Sequence, residues 1–175
     1  MEESASDVYV DRFIGSLTES LDRACNSFPV GQRSNDEYVE VLKTRELALA
    51  KHIMTGQKIS VLGPKTFDWT IIFEDEAKKN TFEPSPLNRT IIIKRYSSLN
   101  ALADLFKGYS AYLQTVGCRL DSAEIPEYAI KLSSIGVTRL CPFGVMAIPT
   151  AGTPHDGNFA LRDLTRVTVV EYNEN

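Results

Sequence analysis

The sequence predicts an α/β protein, a three-layer, mainly parallel sheet with flanking helices. Residues 1–56 hold two apolar stripes of helical period, and residues 58–141 alternate short β-branched or apolar runs with helical ones. The later runs are spaced like strand–helix–strand crossovers, which parallel pairing requires. A chain of 175 residues, 43% of them hydrophobic and 24% charged, can bury a core without staples. It reads as a single domain over 1–175. Two helices cover about 8–56, a βαβ sheet region about 57–141, and a loop with a terminal strand 142–175.

In the first helix Val10, Phe13, Ile14, Leu17, Leu21, Ala24, Cys25 and Phe28 recur near period 3.6, and Phe28-Pro29-Val30-Gly31 stops it. Ser34 stands three residues before Glu37, the spacing of a capping box, and Tyr38, Val41, Leu42, Leu49 and Ile53 follow on one face. Gly56 is the expected C-terminal stop. Lys58–Leu62 is a short strand closed by Gly63-Pro64, and Phe67–Phe73 suits a buried strand. Glu74–Asn80 reads as a charged, solvated turn or helical segment, with Lys78 and Lys79 neutralising Glu74, Asp75 and Glu76. Thr90–Ile93, an unbroken apolar run, reads as the central strand. Leu99–Tyr109 is helical, Leu113–Leu120 a strand, Ala123–Ile135 a helix with Pro126 in its first turn and Gly136 at its stop, and Val137–Leu140 a strand. The β-branched segment Arg166–Tyr172 is expected to be the terminal strand.

Charge and composition exclude several functions. A formal charge of −4, with 19 Lys and Arg scattered among 23 Asp and Glu, leaves no basic stripe for nucleic acid. Lys94-Arg95 reads as a strand end in solvent. No apolar run approaches roughly 18 residues, so no membrane span is expected. Met-Glu-Glu-Ser at the start is not a signal peptide. Three cysteines do not make a disulfide framework, which points to a reducing cytoplasm.

The chemically suggestive stretch is Cys141–Gly157. Three prolines (Pro142, Pro149, Pro154) and three glycines (Gly144, Gly152, Gly157) make it irregular, and Phe143, Val145, Met146 and Ile148 make it apolar. It follows the last strand of the βαβ series, where open α/β sheets bind ligands. His155-Asp156-Gly157 has two readings: a tight turn, or an imidazole–carboxylate pair for substrate hydrogen bonding or acid–base work. Cys141 is the candidate nucleophile, with His155 as its base, against the alternative of a buried apolar thiol. Cys25 and Cys118 read as core and His52 as structural. Arg45, Arg89, Arg139, Arg162 and Arg166 suit anions, but spacing singles out none of them. No CxxC or HxxxH spacing supports a metal, and no GxGxxG, P-loop or GxSxG is present.

An ordered set of motifs carries a family resemblance: Trp69-Thr70-Ile71-Ile72-Phe73, Ser85-Pro86-Leu87-Asn88-Arg89-Thr90, Leu113-Gln114-Thr115-Val116-Gly117, and Gly136–Gly144, followed by His155-Asp156-Gly157 and Leu161–Glu171. Together, over about residues 8–171, they resemble the C-terminal part of the long-chain acyl-CoA reductases, the fatty-acid reductase subunits related to bacterial bioluminescence within the aldehyde dehydrogenase superfamily. The resemblance implies an aldehyde dehydrogenase-like catalytic domain. It also implies NADPH-dependent reduction of a long-chain acyl-CoA or acyl-protein thioester to an aldehyde through a cysteine acyl-enzyme, without a metal. It implies a substrate-facing wall at Pro142, Phe143, His155, Asp156 and Gly157, and brings Glu83 near the place where relatives hold the nicotinamide ribose, in a differing local pattern. The family's cysteine lies just before the segment matching Val8-Tyr9-Val10, and residues 1–7 contain none. The expectation is therefore a partial catalytic domain, inactive alone, that works as a homo-oligomer or with a missing nucleotide-binding partner. The alternative is a non-catalytic α/β binding or assembly module.

Overall fold

A computed structural model describes residues 5–75, 81–159, 162, 164–166 and 168–171. The chain is α/β and divides into two compact units, residues 1–105 and 106–175.

In the first unit, α1 (Asp7–Ser27) starts where the Ser6 hydroxyl accepts from the Tyr9 amide at 3.3 Å, with Asp7 complementing the helix dipole. Val10 is buried, and Ile14, Leu17, Leu21 and Cys25 follow it down the same side. Phe13 lies at the rim and Phe28 is 73% exposed, so neither joins the core as the stripe predicts. The second helix, α2 (Asn35–Thr55), has the predicted capping box: the Glu37 amide donates to Ser34 Oγ, and Glu37 Oε2 accepts from the Ser34 amide at 2.8 Å. Gly56, at φ 70°, ends it in the left-handed conformation. Val41 and Ala48 face inward, whereas Ile53, predicted on the same face, points outward.

Three strands form one sheet in the order β1 (Ile59–Leu62), β2 (Thr70–Glu74), β3 (Thr90–Lys94). β1 and β2 are antiparallel, because residues 63–69 are too few for a crossover; β2 and β3 are parallel across the longer connection 75–89. Strand alternation sends Ile71 and Phe73 to α1 and Ile72 to α2. Trp69, just before β2, also packs on the α1 side and donates its indole N–H to Asp22 at 2.7 Å. All five residues of β2 are buried, so β2 is central and Thr90–Ile93, predicted to be central, is an edge strand with Ile91 and Ile92 only half-buried. A strand with neighbours on both sides has more surface to bury than one with a single neighbour. Arg45 of α2 reaches over the sheet end, donating to Thr70 Oγ1, Trp69 O and Pro64 O and lying over the Phe67 ring. Gly63 makes room: a Cβ there would stand 2.5 Å from the Trp69 oxygen. The helix α3 (Leu99–Phe106) is capped by Ser98, whose Oγ accepts from the Ala101 amide at 3.1 Å.

The second unit is a βαβ element. β4 (Thr115–Cys118) and β5 (Arg139–Pro142) pair in parallel around α4 (Ile125–Ser133), which carries Pro126 in its first turn and buries Tyr128 and Leu132. Gly136, at φ 112°, ends the helical stretch; a Cβ there would meet the Ser110 oxygen at 2.7 Å. The described strands thus fall in two sheets, one of them mixed, in place of the expected continuous βαβ series. The predicted terminal strand is also absent among the described residues: positions 166, 168–171 carry no pairing, with Val169 and Val170 exposed, and a strand needs a neighbour to bond.

Candidate functional site

The acidic run predicted to be solvated is mostly interior. Glu74 is buried in β2, and its Oε2 accepts from Lys51 of α2 and Lys94 of β3, each at 3.0 Å. Asp75 pairs with Lys58 at 3.2 Å and with buried Arg95, so Lys94-Arg95 is not a solvent-facing strand end either. Glu76, Lys78 and Lys79 lie outside the described residues. The physical cause is that β2 buries both faces up to its last residue, and a carboxylate there must be paired.

The residues Cys141–Asn158 are built on β5. Cys141 is buried in the strand, Pro142 ends it, and Phe143 follows at 64% exposure, with Gly144 turning the chain at φ 85°. His155 and Asn158 exchange two backbone hydrogen bonds, each 2.9 Å, around Asp156 (φ 50°) and Gly157 (φ 82°). Two consecutive positive φ values with Asp-Gly at the centre make a type I′ hairpin turn, the first of the two readings from sequence. His155 Nδ1 lies 3.2 Å from Asp156 Oδ2, and both side chains face solvent. A Cβ on Gly157 would come within 3.1 Å of Thr138 Cγ2, which seats this turn at the start of β5.

Pro142 and Phe143 stand at the other end of that strand, about 13 Å away at 3.3 Å per residue. The five expected wall residues therefore form two patches, one at each end of β5, and Cys141 and His155 are not brought together. The polar contacts of His155 are with Asp156 and Asn158.

The other thiols and the other histidine are also engaged. Arg89 Nη1 donates to Cys25 Sγ at 2.8 Å, and Arg89 sits in a run of three left-handed residues, Leu87-Asn88-Arg89. Burial, with a smaller effect of Cys141 nearby, pushes the Cys118 thiol above its ordinary value. His52 Nδ1 lies 2.5 Å from the Gln57 carbonyl and 3.5 Å from the Ile59 amide, and the ring closes the end of α2 as a structural residue.

Sequence reasoning missed Arg139. Its guanidinium donates to the carbonyls of Val145, Met146 and Ile148. The legible sign was Gly117 inside a strand, which marks a close approach: a Cβ there would stand 2.6 Å from Met146 Sδ.

Among the described residues no group of three or more His, Cys, Asp or Glu converges as a metal site. No described helix is long and apolar enough to cross a membrane. Among the described helices, α1 and α2 have their first amides occupied by Ser6 and by the Ser34–Glu37 box and α3 by Ser98, while α4 has no side-chain cap; no glycine-rich turn feeds any of them. Glu83, which the resemblance brings near a ribose, accepts from Thr81 at 3.1 Å and lies 3.8 Å from Lys51.

An α/β framework ending in an apolar, proline-rich loop defines the general class. The chain belongs to the acyl-CoA reductase (LuxC) family, whose model matches residues 2–167, as the ordered motifs led us to expect. A comparison with curated proteins gives no match.

Proposed function

We propose that this chain supplies the acyl-facing part of an acyl-CoA reductase and does not turn over acyl-CoA by itself. The reaction it serves takes an acyl thioester, NADPH and a proton to an aldehyde, NADP⁺ and the free thiol. The carrying observation is that none of the three cysteines meets a histidine among the described residues. Cys25 is held by Arg89, the Cys118 thiol is pushed up by burial, and Cys141 lies at the far end of β5 from the His155 turn. A thiol pushed up by burial, as Cys118 is, is a poor nucleophile at neutral pH when no base stands beside it. The wall reading rests on Pro142 and Phe143 at one end of β5 and His155, Asp156 and Gly157 at the other, apolar surface with a few polar groups. The helices on both faces of the β1–β2–β3 sheet support the three-layer, aldehyde dehydrogenase-like reading of the first unit.

The test is acyl-CoA-dependent NADPH oxidation by the purified chain, with aldehyde measured directly. Turnover at the rate of an ordinary enzyme, about 1 per second or faster, overturns the proposal. A second reading, an assembly module, is favoured by residues 168–171, unpaired with Val169 and Val170 exposed, which would find a strand neighbour in a partner chain.

A further inference from the structure

We propose that Arg139 is a positioning residue that holds the loop 143–148 as an acyl-chain surface. This rests on the reading of Pro142 and Phe143 as acyl-facing.

Arg139 opens β5, and its backbone amide is tied to the Gln114 carbonyl at 3.0 Å. Its guanidinium is aimed along the strand at the loop. Nη1 donates to Met146 O at 2.7 Å, and Nη2 to Val145 O at 3.1 Å and to Ile148 O at 3.0 Å. A loop without a ladder has carbonyls that need donors, and a planar fork fixed at the strand start satisfies three of them with charge-assisted bonds. Because those donors are spent on backbone, Arg139 acts on a ligand through the loop it shapes.

From the other side, Met146 drops into the notch over Gly117, which any Cβ would close, and the Phe143 ring lies beside it, 3.3 Å from that Cβ position. The loop is thus pinned at its carbonyls and at one side chain. It presents Phe143 and Ile148, 64% and 69% exposed, as apolar surface, with three of its carbonyls engaged by Arg139. The occupant we commit to is the apolar chain of an acyl thioester; the family to which residues 2–167 belong is named for acyl-CoA, and the exposed Phe143 and Ile148 suit a long chain.

The experiment exposes the full chain to a palmitoyl-CoA bearing a photoreactive diazirine near the chain end. Labelled residues are mapped and amide exchange is followed over 143–148, for the unmodified protein, Arg139→Met, Arg139→Lys and Gly117→Ala. The unmodified chain should label within 142–148. Arg139→Met and Gly117→Ala should lose about tenfold in labelling there and exchange faster over that loop, with helix content unchanged. Arg139→Lys, a point charge in place of a fork, should fall between. Equal labelling by Arg139→Met and the unmodified chain overturns the role of Arg139 alone. No labelling of the unmodified chain at 142–148 overturns the acyl-wall reading, and the proposal with it. If Arg139→Met fails to fold, Arg139→Lys decides, and labelling equal to the unmodified chain overturns the proposal.

Discussion

Thr90 carries a buried hydroxyl with no hydrogen-bond partner among the described residues, although its carbonyl accepts from Ser85 at 2.6 Å. A buried, unsatisfied hydroxyl costs free energy, and valine has the same shape without it. We expect Thr90→Val to leave the fold intact and raise stability by up to about 1 kcal/mol in urea unfolding. A loss of that size would show that the hydroxyl does find a partner. Single residues of this kind were opaque in the sequence. Thr90 reads there as an ordinary β-branched strand residue, and Glu74 as one member of an acidic run, because burial of a polar atom depends on what packs over it.

Among the elements, α2 was the most legible, since its start and stop depend on neighbours three or four residues away. Removing the Ser34 hydroxyl (Ser34→Ala) should cost about 1 kcal/mol. The amide and hydroxyl of Ser34 hold the Glu37 carboxyl below its ordinary value of 4.5. A group with a lowered folded value contributes stability that is complete above the unfolded value and is lost as pH falls through the folded one. The melting-temperature advantage of the unmodified chain over Glu37→Gln should therefore be full near pH 6 and shrink as pH drops below 4.5. A gap that widens on acidification would contradict the box. Glu74 joins three elements, α2, β2 and β3, through Lys51 and Lys94. Deleting one side of a buried charge cluster is expensive, so Glu74→Ala should cost roughly 3 kcal/mol in denaturant unfolding, far more than the same change at exposed Glu40. Strand existence was readable from β-branched runs, but strand order was not. The Ile91–Ile93 run is as apolar as Ile71–Phe73, and only the pairing decides which of the two is central.

For the whole molecule, the unpaired residues 168–171 bear on assembly. If they pair with another chain, Val169→Glu with Val170→Glu should lower the sedimentation-derived mass at tens of micromolar without unfolding the chain, because edge charges block pairing. An unmodified chain already monomeric under those conditions would remove the assembly reading. By itself the sequence determined the α/β class, the capping box and glycine stop of α2, and the family, because local periodicity, capping chemistry and ordered motifs are written in neighbouring residues. The tertiary structure alone decided that Glu74 is buried, that β2 is central, that the expected wall residues split between the two ends of β5, and that Arg139 ties down the loop beyond it. Each of these depends on which distant segments pack together, and a side chain's burial and hydrogen-bond partners exist only once they do.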